Sequence, residues 1–382
     1  MATKTLSENI NQAISDLNSV KQALIDKGVE IPSGTKTSEY GAKIGEIQSG
    51  GVMGLDTSNV TSFYYFCSSN RLIDQLEKIN TSNGTDFSFM FYYSKLLTTV
   101  PQLNTSKGTT FASMFYDCLA LTTVPQLNTS SGTNFGNMFR GCTSLTAIPQ
   151  LDTSNGTMFS GMFRDCTSLK TDPKINTSKG TDLSYLFYDC AFKTIEQLDT
   201  SSCTNLSYAF YSCSLLETLP EIDIRKVTNY TDTFRNCSRL KKVPEIYNAN
   251  GSNINLNNTF QSCSALTEVK IGNVGTNPLN NTFRGCSELV TVEIGSFTTT
   301  SSTFMGCPKL ENFIPTGTIT HSGSLDVSYC PLLTVESLVN ILTAFKDRSS
   351  GSTAKIILGS TNLAKLTAEQ KQIAIDKNYT LA

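Results

Sequence analysis

The chain has 382 residues, a formal net charge of −2 at neutral pH and only 16% charged residues. So weak a net charge gives no electrostatic attraction to nucleic acid or to an anionic membrane, so neither is predicted as a partner. No apolar run reaches the roughly 18 residues of a membrane-spanning helix, so no membrane span is predicted.

Residues 1–51 predict an N-terminal helical segment for oligomerisation or attachment. Apolar residues recur at alternating spacings of three and four, which is a heptad pattern, and Gly28 ends it. These positions are Leu6, Ile10, Ala13, Leu17, Val20 and Leu24. Two interpretations stay open: an amphipathic helix packed on the first repeat, or a short coiled coil that makes a homo-oligomer, with a trimer favoured.

Residues 52–331 contain an internal repeat of about 24 residues. Five phenylalanines mark it at equal intervals: Phe91, Phe115, Phe139, Phe163 and Phe187. The series continues less regularly to Phe304, with Phe66 as an early outlier and Val327 as a degenerate last member. Because one such unit cannot bury its apolar face alone, the period predicts a β-rich solenoid of about 12 stacked coils.

One repeat, residues 109–132, shows which side chains form the core. Six positions are predicted to point inward and to stack in columns: Phe111, Phe115, Cys118, Leu121, Val124 and Leu127. Proline lacks an N–H group, so Pro125 predicts that the strand before it is short. In the Asn-Thr-Ser-x-Gly segment that follows, we expect polar turn caps and a glycine with positive φ.

Ten of the twelve cysteines occupy one position of the repeat: Cys118, Cys142, Cys166, Cys190, Cys213, Cys237, Cys263, Cys286, Cys307 and Cys330. Stacking places their Cβ atoms about 4.8 Å apart with parallel directions, whereas a disulfide needs about 3.8 Å. The pattern therefore predicts reduced, buried thiols that act as small hydrophobes. Cys67 and Cys203 lie off this position. No metal site is predicted, because Cys-x-x-Cys pairs are absent and His321 is the only histidine.

Residues 332–382 break the repeat and predict a small α/β cap over the open end of the solenoid. A helix is expected from Thr334 to Lys346, and a strand at residues 354–358. A second helix should begin with a capping box at Thr367 and Gln370, and a strand should follow at residues 379–381. Without such a cap, the last coil would leave an exposed edge.

The position directly after the repeat phenylalanine holds large amphipathic side chains, here called the Tyr/Arg stripe: Tyr92, Tyr116, Arg140, Arg164, Tyr188, Tyr211, Arg235 and Arg284. Tyrosine and arginine dominate binding hot spots, so the stripe is a candidate recognition surface. Tyrosine rings also suit sugars, with Asp117, Asp165, Asp189 and Asn236 as adjacent hydrogen-bond partners. Two simpler interpretations stay open: the stripe covers the phenylalanine column, and the four following residues serve turns.

Catalytic machinery is not evident in the sequence. His321 lies in a stretch rich in Gly, Ser and Thr with no motif around it, so a nucleophile–histidine pair is not predicted. There is also no glycine-rich phosphate loop. We therefore expect no catalytic residues, no cofactor and no enzymatic activity.

The pattern Met-Phe-x-x-Cys-x-x-Leu, as at residues 138–145, with Asp-Thr-Ser between copies, as at residues 55–61, resembles the BspA-like leucine-rich repeats. This resemblance covers about three quarters of the chain. It implies a leucine-rich-repeat solenoid and surface adhesion or ligand binding in bacteria, protists and some phages. The flanking segments, residues 6–44 and 363–382, resemble those that flank such repeats in phage tail and virion proteins.

Together these features predict a non-enzymatic phage virion protein of the tail-fibre or receptor-binding type. Other virion proteins would bind the N-terminal segment, and a host cell-surface glycan or protein would bind the repeats. A signal-peptide pattern is absent from the N-terminal residues, which fits virion assembly in the bacterial host cytoplasm. The alternatives are a bacterial surface adhesin exported by another route, and a structural head or collar decoration protein that binds other virion proteins.

Overall fold

Successive repeats of the chain pair with one another in parallel and in register. The computed structural model describes residues 57–69, 76–77, 79–247, 253–300, 302–320 and 323–382. The predicted N-terminal helix with its heptad positions, and His321, lie outside these residues. Single β-bridges connect neighbouring repeats in one unbroken row: Ser62, Asp86, Thr110, Asn134, Met158, Asp182, Asn205, Asn229 and Asn255. The predicted in-register stacking is thus confirmed; the number of coils stays a prediction.

The later repeats form true strands. Strands β1 (Glu268–Ile271), β2 (Thr291–Ile294) and β4 (Asn312–Pro315) make a parallel sheet in the order β1-β2-β4. Strands β3 (Phe297–Thr298) and β5 (Ile319–Thr320) pair beside it. In β1 and β2, Lys270 and Glu293 stand where earlier repeats have proline. A residue with an N–H group therefore replaces proline where the ladder extends.

The C-terminal residues fold into the predicted mixture of helix and strand. Helix α1 (Val335–Ala344) begins at the N-cap Thr334, packs on β4, and ends two residues before the predicted Lys346. Strands β6 (Leu325–Asp326), β7 (Ala354–Ile357) and β8 (Tyr379–Leu381) form a parallel sheet in that order. Helix α3 (Ala368–Asp376) has the predicted capping box, whereas the short helix α2 (Gly359–Leu363) was not predicted. Among the described helices, none is long and apolar enough to cross a membrane.

Two columns of phenylalanine rings form the core. Phe115 and Phe139 stack with ring centroids 5.4 Å apart and ring planes 6° apart, and the column runs from Phe91 to Phe304. Only the Phe187 and Phe210 rings in this column are clearly tilted, by 34°. A second column runs from Phe63 to Phe159. All six positions predicted to point inward in the repeat at 109–132 are buried. Val327 is buried at the phenylalanine register, as predicted for the last member.

The cysteine column is buried as predicted, but its side chains also serve as hydrogen-bond donors. The Cys142 thiol donates to the backbone oxygen of Phe115, one repeat earlier, at 3.1 Å. The same bond recurs for the other nine members of the column. Burial raises the pKa of the Cys213 thiol to about 12, so it stays protonated and able to donate at neutral pH.

The two cysteines off this column replace other core residues. The N–H group of Cys67 bonds Met90, just as that of Phe91 bonds Met114, so Cys67 stands at the phenylalanine register and Phe66 does not. The N–H group of Cys203 bonds Thr200, which is the bond that glycine makes in the preceding repeats. Cys203 thus takes the glycine register. Both cysteines are buried.

The prediction of positive φ at the glycine of the turn segment is wrong. Gly132 and its equivalents are absent from the residues with positive φ. A Cβ atom on Gly132 would instead lie 2.5 Å from Cζ of Phe135, so glycine is required by the close approach of an aromatic ring. Positive φ occurs around the repeat phenylalanine, for example at Ser113 and Asp117 (φ 54° each).

Candidate binding surface

The Tyr/Arg stripe forms two stacks of side chains, from Tyr92 to Arg140 and from Arg164 to Arg235, and the Asp165 carboxylate lies between them. Tyr92 packs on Tyr116 at 4.9 Å between ring centroids, and the Arg140 guanidinium lies 4.9 Å from the Tyr116 ring. Farther along, Arg164 lies 4.7 Å from the Tyr188 ring. These members are half-buried. The stripe therefore places aromatic rings and cations in direct contact between neighbouring repeats.

The second part of the stripe continues this order. Tyr188 and Tyr211 stack in parallel at 4.6 Å with planes 4° apart, and Arg235 lies 5.6 Å from the Tyr211 ring. Arg284 lies at the same register beyond Gln261, and it is exposed. The seven residues from Tyr92 to Arg235 are thus brought together, while Arg284 extends the register toward the C terminus.

Turn geometry fixes the direction of the stripe. The residue after each stripe position has positive φ, as at Asp117, Asp165, Asp189 and Asn236. Asp and Asn tolerate this left-handed conformation better than most residues, so the predicted turn role of these four is confirmed. Because the chain turns sharply at this residue, the stripe side chain that precedes it lies across the neighbouring repeat.

Carboxylates balance the arginines along the stripe. Arg140 and Arg164 are neighbours, and Oδ2 of Asp165 lies 3.9 Å from Nε of Arg140 and 3.3 Å from Nε of Arg164. Farther on, Nη1 of Arg235 donates to the buried Asp232 at 3.0 Å. The Asp165 carboxylate offsets the repulsion between Arg140 and Arg164, and the Arg235 guanidinium offsets the cost of burying the Asp232 carboxylate.

Burial also changes the protonation of the stripe. Desolvation raises the pKa of the Tyr116 and Tyr188 hydroxyls above 10.0. It raises the pKa of the Asp117 and Asp189 carboxyls above 3.8 as well. The tyrosine hydroxyls are therefore protonated at neutral pH and can both donate and accept hydrogen bonds.

The faces of the stacked rings are largely covered. Tyr188 and Tyr211 cover one face of each other, while Arg164 and Arg235 lie over the outer faces of the pair. A ligand at these two residues meets ring edges and phenol hydroxyls. Stacking of a sugar on a ring face of this pair would require the arginines to move.

Sequence reasoning missed a second row of aromatic residues beside the stripe. Tyr185 and Tyr208 stack at 4.7 Å, and Arg164 also lies 4.8 Å from the Tyr185 ring. In the first repeats, Tyr65 stacks on Phe89 at 4.8 Å. Phe89, Tyr185 and Tyr208 stand two residues before the repeat phenylalanine, so the same period contains the signal that identifies this row.

A groove, here called the polar groove, was also missed. It crosses six repeats between Gln102 and Asp223 and has a volume of about 1590 Å³. Its walls come from the Gln-Leu-Asn-Thr-Ser segments and their equivalents, which the sequence identified only as turns. The signal was the recurrence of glutamine after proline, at Gln102, Gln126 and Gln150.

Within the residues that the structure describes, no group of three or more His, Cys, Asp or Glu side chains is arranged to hold a metal ion.

Family models match both halves of the repeat array. Residues 177–256 and 231–349 match the family described as BspA type Leucine rich repeat region. BspA-type leucine-rich repeats are thus shown for residues 177–349. Residues 38–146 and 113–214 match a family described as Mycoplasma protein of unknown function, DUF285. No curated protein matches the chain.

Solved structures similar to these BspA-type repeats include three leucine-rich repeat or receptor proteins. A Leucine Rich Repeat protein of T. pallidum is 17% identical, covering 64% of this chain and 80% of that chain, with a TM-score of 0.21. A leucine-rich repeat protein from Bacteroides ovatus is 19% identical, with 74% and 91% covered and a TM-score of 0.21. The plant peptide hormone receptor RGFR1, in complex with RGF2, is 12% identical, with 76% and 48% covered and a TM-score of 0.29.

Proposed function

We propose that this protein is a non-enzymatic recognition protein of a phage virion, of the tail-fibre or receptor-binding type. In this proposal the BspA-type repeats bind a host cell-surface glycan or protein. Residues 1–51 attach the protein to other virion proteins and hold it as a homo-oligomer. The observation that carries the proposal is the ordered Tyr/Arg stripe from Tyr92 to Arg235.

The physical support is preorganisation. From Tyr92 to Arg235, each stripe side chain contacts a stripe residue of an adjacent repeat. A ligand that contacts the stripe therefore immobilises few additional rotamers, which lowers the entropic cost of binding. Tyrosine and arginine also supply hydrogen bonds from amphipathic side chains that are already partly desolvated.

Binding to bacteria tests the recognition part of this proposal. Fluorescently labelled protein is incubated with a panel of bacterial strains, and bound protein is measured by flow cytometry. The double substitution Arg140→Ala and Arg164→Ala is expected to lower binding at least tenfold. Lys170→Ala removes an exposed positive charge away from the stripe and is expected to bind like the unaltered protein.

The outcomes separate the possible roles of the stripe. If the double arginine variant and Lys170→Ala both bind as the unaltered protein does, the stripe is not the recognition surface and only covers the phenylalanine column. If the unaltered protein binds no strain, the proposed recognition function is wrong for that panel's receptors. Immunogold labelling of purified virions tests location: gold on tail fibres supports the proposal, whereas gold on the head or collar, or on the envelope of uninfected bacteria, supports one of the alternatives.

A further inference from the structure

We propose that the polar groove binds a linear, uncharged glycan that lies along the axis of the repeat stack. This inference deepens the proposed recognition function and rests on it, because it names the ligand class and a second surface for it. The groove crosses six repeats, and its volume of about 1590 Å³ leaves room for an extended chain.

One row of groups in the groove consists of fixed glutamine amides. Nε2 of Gln102 donates to the backbone oxygen of Gln126 at 2.6 Å, and Nε2 of Gln126 donates to that of Gln150 at 2.6 Å. Nε2 of Gln150 continues the row to Lys174 at 2.8 Å. Each amide is thus oriented before a ligand arrives, which lowers the entropic cost of hydrogen bonding to it.

A second row consists of Asn and Asp side chains at the start of the Asn-Thr-Ser segment. Oδ1 of Asn128 accepts from the N–H group and hydroxyl of Ser130, and Oδ1 of Asp152 accepts in the same way from Ser154. Asn176 repeats the arrangement with Ser178. The row therefore presents one oriented amide or carboxylate in each repeat.

The charge of the lining selects against anionic ligands. Lys174 is the one cation among the residues that line the groove. Five carboxylates line it as well: Asp152, Glu196, Asp199, Glu221 and Asp223. Lys174 is itself paired with Glu196 at 2.9 Å. A nucleic acid or an acidic polysaccharide would meet repulsion here, whereas the hydroxyl groups of a neutral sugar match amides and carboxylates.

The spacing of the two rows favours a glycan over an extended peptide. Neighbouring repeats lie about 4.8 Å apart, whereas side chains on one face of a peptide strand recur every two residues, or about 6.6 Å. A peptide therefore loses register within two or three repeats. A β-1,4-linked chain of pyranose rings advances by about one repeat per sugar, so each ring lies beside one repeat. Because successive rings are turned over, equivalent hydroxyl groups meet equivalent side chains at every second repeat.

Oligosaccharides of defined length test the proposal. The probes are β-1,4-linked glucose, mannose and N-acetylglucosamine oligosaccharides of two to six sugars, measured by isothermal titration calorimetry. Because the groove crosses six repeats, at least one series is expected to bind with an affinity that rises at each added sugar. Absence of binding by all three series at millimolar concentration, or affinity independent of length, overturns the proposal.

Matched variants locate the binding. Asn128→Asp together with Asn176→Asp keeps the acceptor for the serine bonds, because Asp152 stands at the same register, but it removes two amide donors. Affinity for the longest oligosaccharide is expected to fall at least tenfold, with an unchanged circular dichroism spectrum, while Lys170→Ala binds normally.

Unchanged affinity in the double variant contradicts the proposal that the glycan binds in the polar groove. Binding lost in Arg164→Ala but kept in the double variant also contradicts it and assigns the sugar to the Tyr/Arg stripe, leaving the proposed recognition function intact.

Discussion

The thiol of Cys142 and the backbone oxygen of Phe115 form a hydrogen bond of 3.1 Å between neighbouring repeats. Ser94 occupies the cysteine register in an earlier repeat, and its hydroxyl donates the equivalent bond to Cys67 at 3.0 Å. The register therefore selects a small side chain with a donor, and not merely a small apolar one.

We expect Cys142→Ala to destabilise the protein more than Cys142→Ser does. Alanine removes the side-chain donor, but the Phe115 oxygen still accepts from the N–H group of Cys118 at 3.2 Å, so the expected loss is about 0.5–1.5 kcal/mol. Serine retains a donor, as Ser94 does. Urea unfolding followed by circular dichroism measures the difference. Equal losses in the two variants would show that packing alone selects cysteine.

Gly132→Ala is expected to lower the free energy of unfolding by about 1–3 kcal/mol, because the added Cβ atom meets the Phe135 ring at 2.5 Å. Phe135→Leu, which imitates the leucine beside Cys203, should relieve part of this clash. The loss in the double variant should therefore be smaller than the sum of the two single losses. A fully additive result in urea unfolding would contradict the close-approach explanation.

Asp189→Asn is expected to raise the melting temperature at pH 7 but not at pH 3. Burial, followed by the nearby charge of Asp165, raises the folded-state pKa of Asp189 above 3.8. The protonated form is thus favoured by folding, and this stability is lost as pH rises through the folded-state pKa. Asn236 has the same positive φ at this register, so asparagine fits. Thermal unfolding at the two pH values measures the effect.

Asp152→Asn is a control for Asp189→Asn, because its expected effect on the melting temperature has the opposite sign. Hydrogen bonds from Ser154 lower the pKa of Asp152 below 3.8, so its stabilising effect is present above the unfolded-state value and is lost as pH falls. The substitution should lower the melting temperature at pH 7 and have no effect well below pH 3.8. A common sign for both variants at pH 7 would contradict the assigned causes.

Arg164→Lys should destabilise the protein by about 0.5–1 kcal/mol although the charge is kept. The planar guanidinium lies 4.7 Å from the Tyr188 ring and 4.8 Å from the Tyr185 ring, and an ammonium group stacks less well. Near-ultraviolet circular dichroism reports the tyrosine environment directly, because the chain has no tryptophan. An unchanged tyrosine signal and stability would show that the stack contributes nothing.

Residues 1–51 are expected to oligomerise when fused to a monomeric carrier. Once it is separated from the repeats, the heptad pattern from Leu6 to Leu24 can bury its apolar seam only if copies associate. Light scattering should give a trimer mass, and Leu17→Asp should return it to a monomer. A monomer at micromolar concentration for the unaltered segment would contradict the coiled coil and favour the amphipathic helix.

Local patterns predicted the C-terminal helices well, because Thr334 and Thr367 cap them with bonds made within the same turn. The short helix α2 was missed, since its five residues contain no apolar period. The positive φ at Asp117 follows from local turn chemistry. The role of Gly132 does not, because it depends on where the Phe135 ring lies.

The sequence alone determined the repeat period and the identity of the buried columns, because an apolar position that returns every repeat can be covered only by its own copies. Contacts across repeats were decided by the tertiary structure: Arg164 lying on Tyr188, and Gln126 reaching Gln150 beside the polar groove. These partners are 24 residues apart in the chain and become neighbours only when the stack fixes their lateral position. The fold therefore follows from periodicity, whereas the candidate surfaces depend on the geometry between repeats.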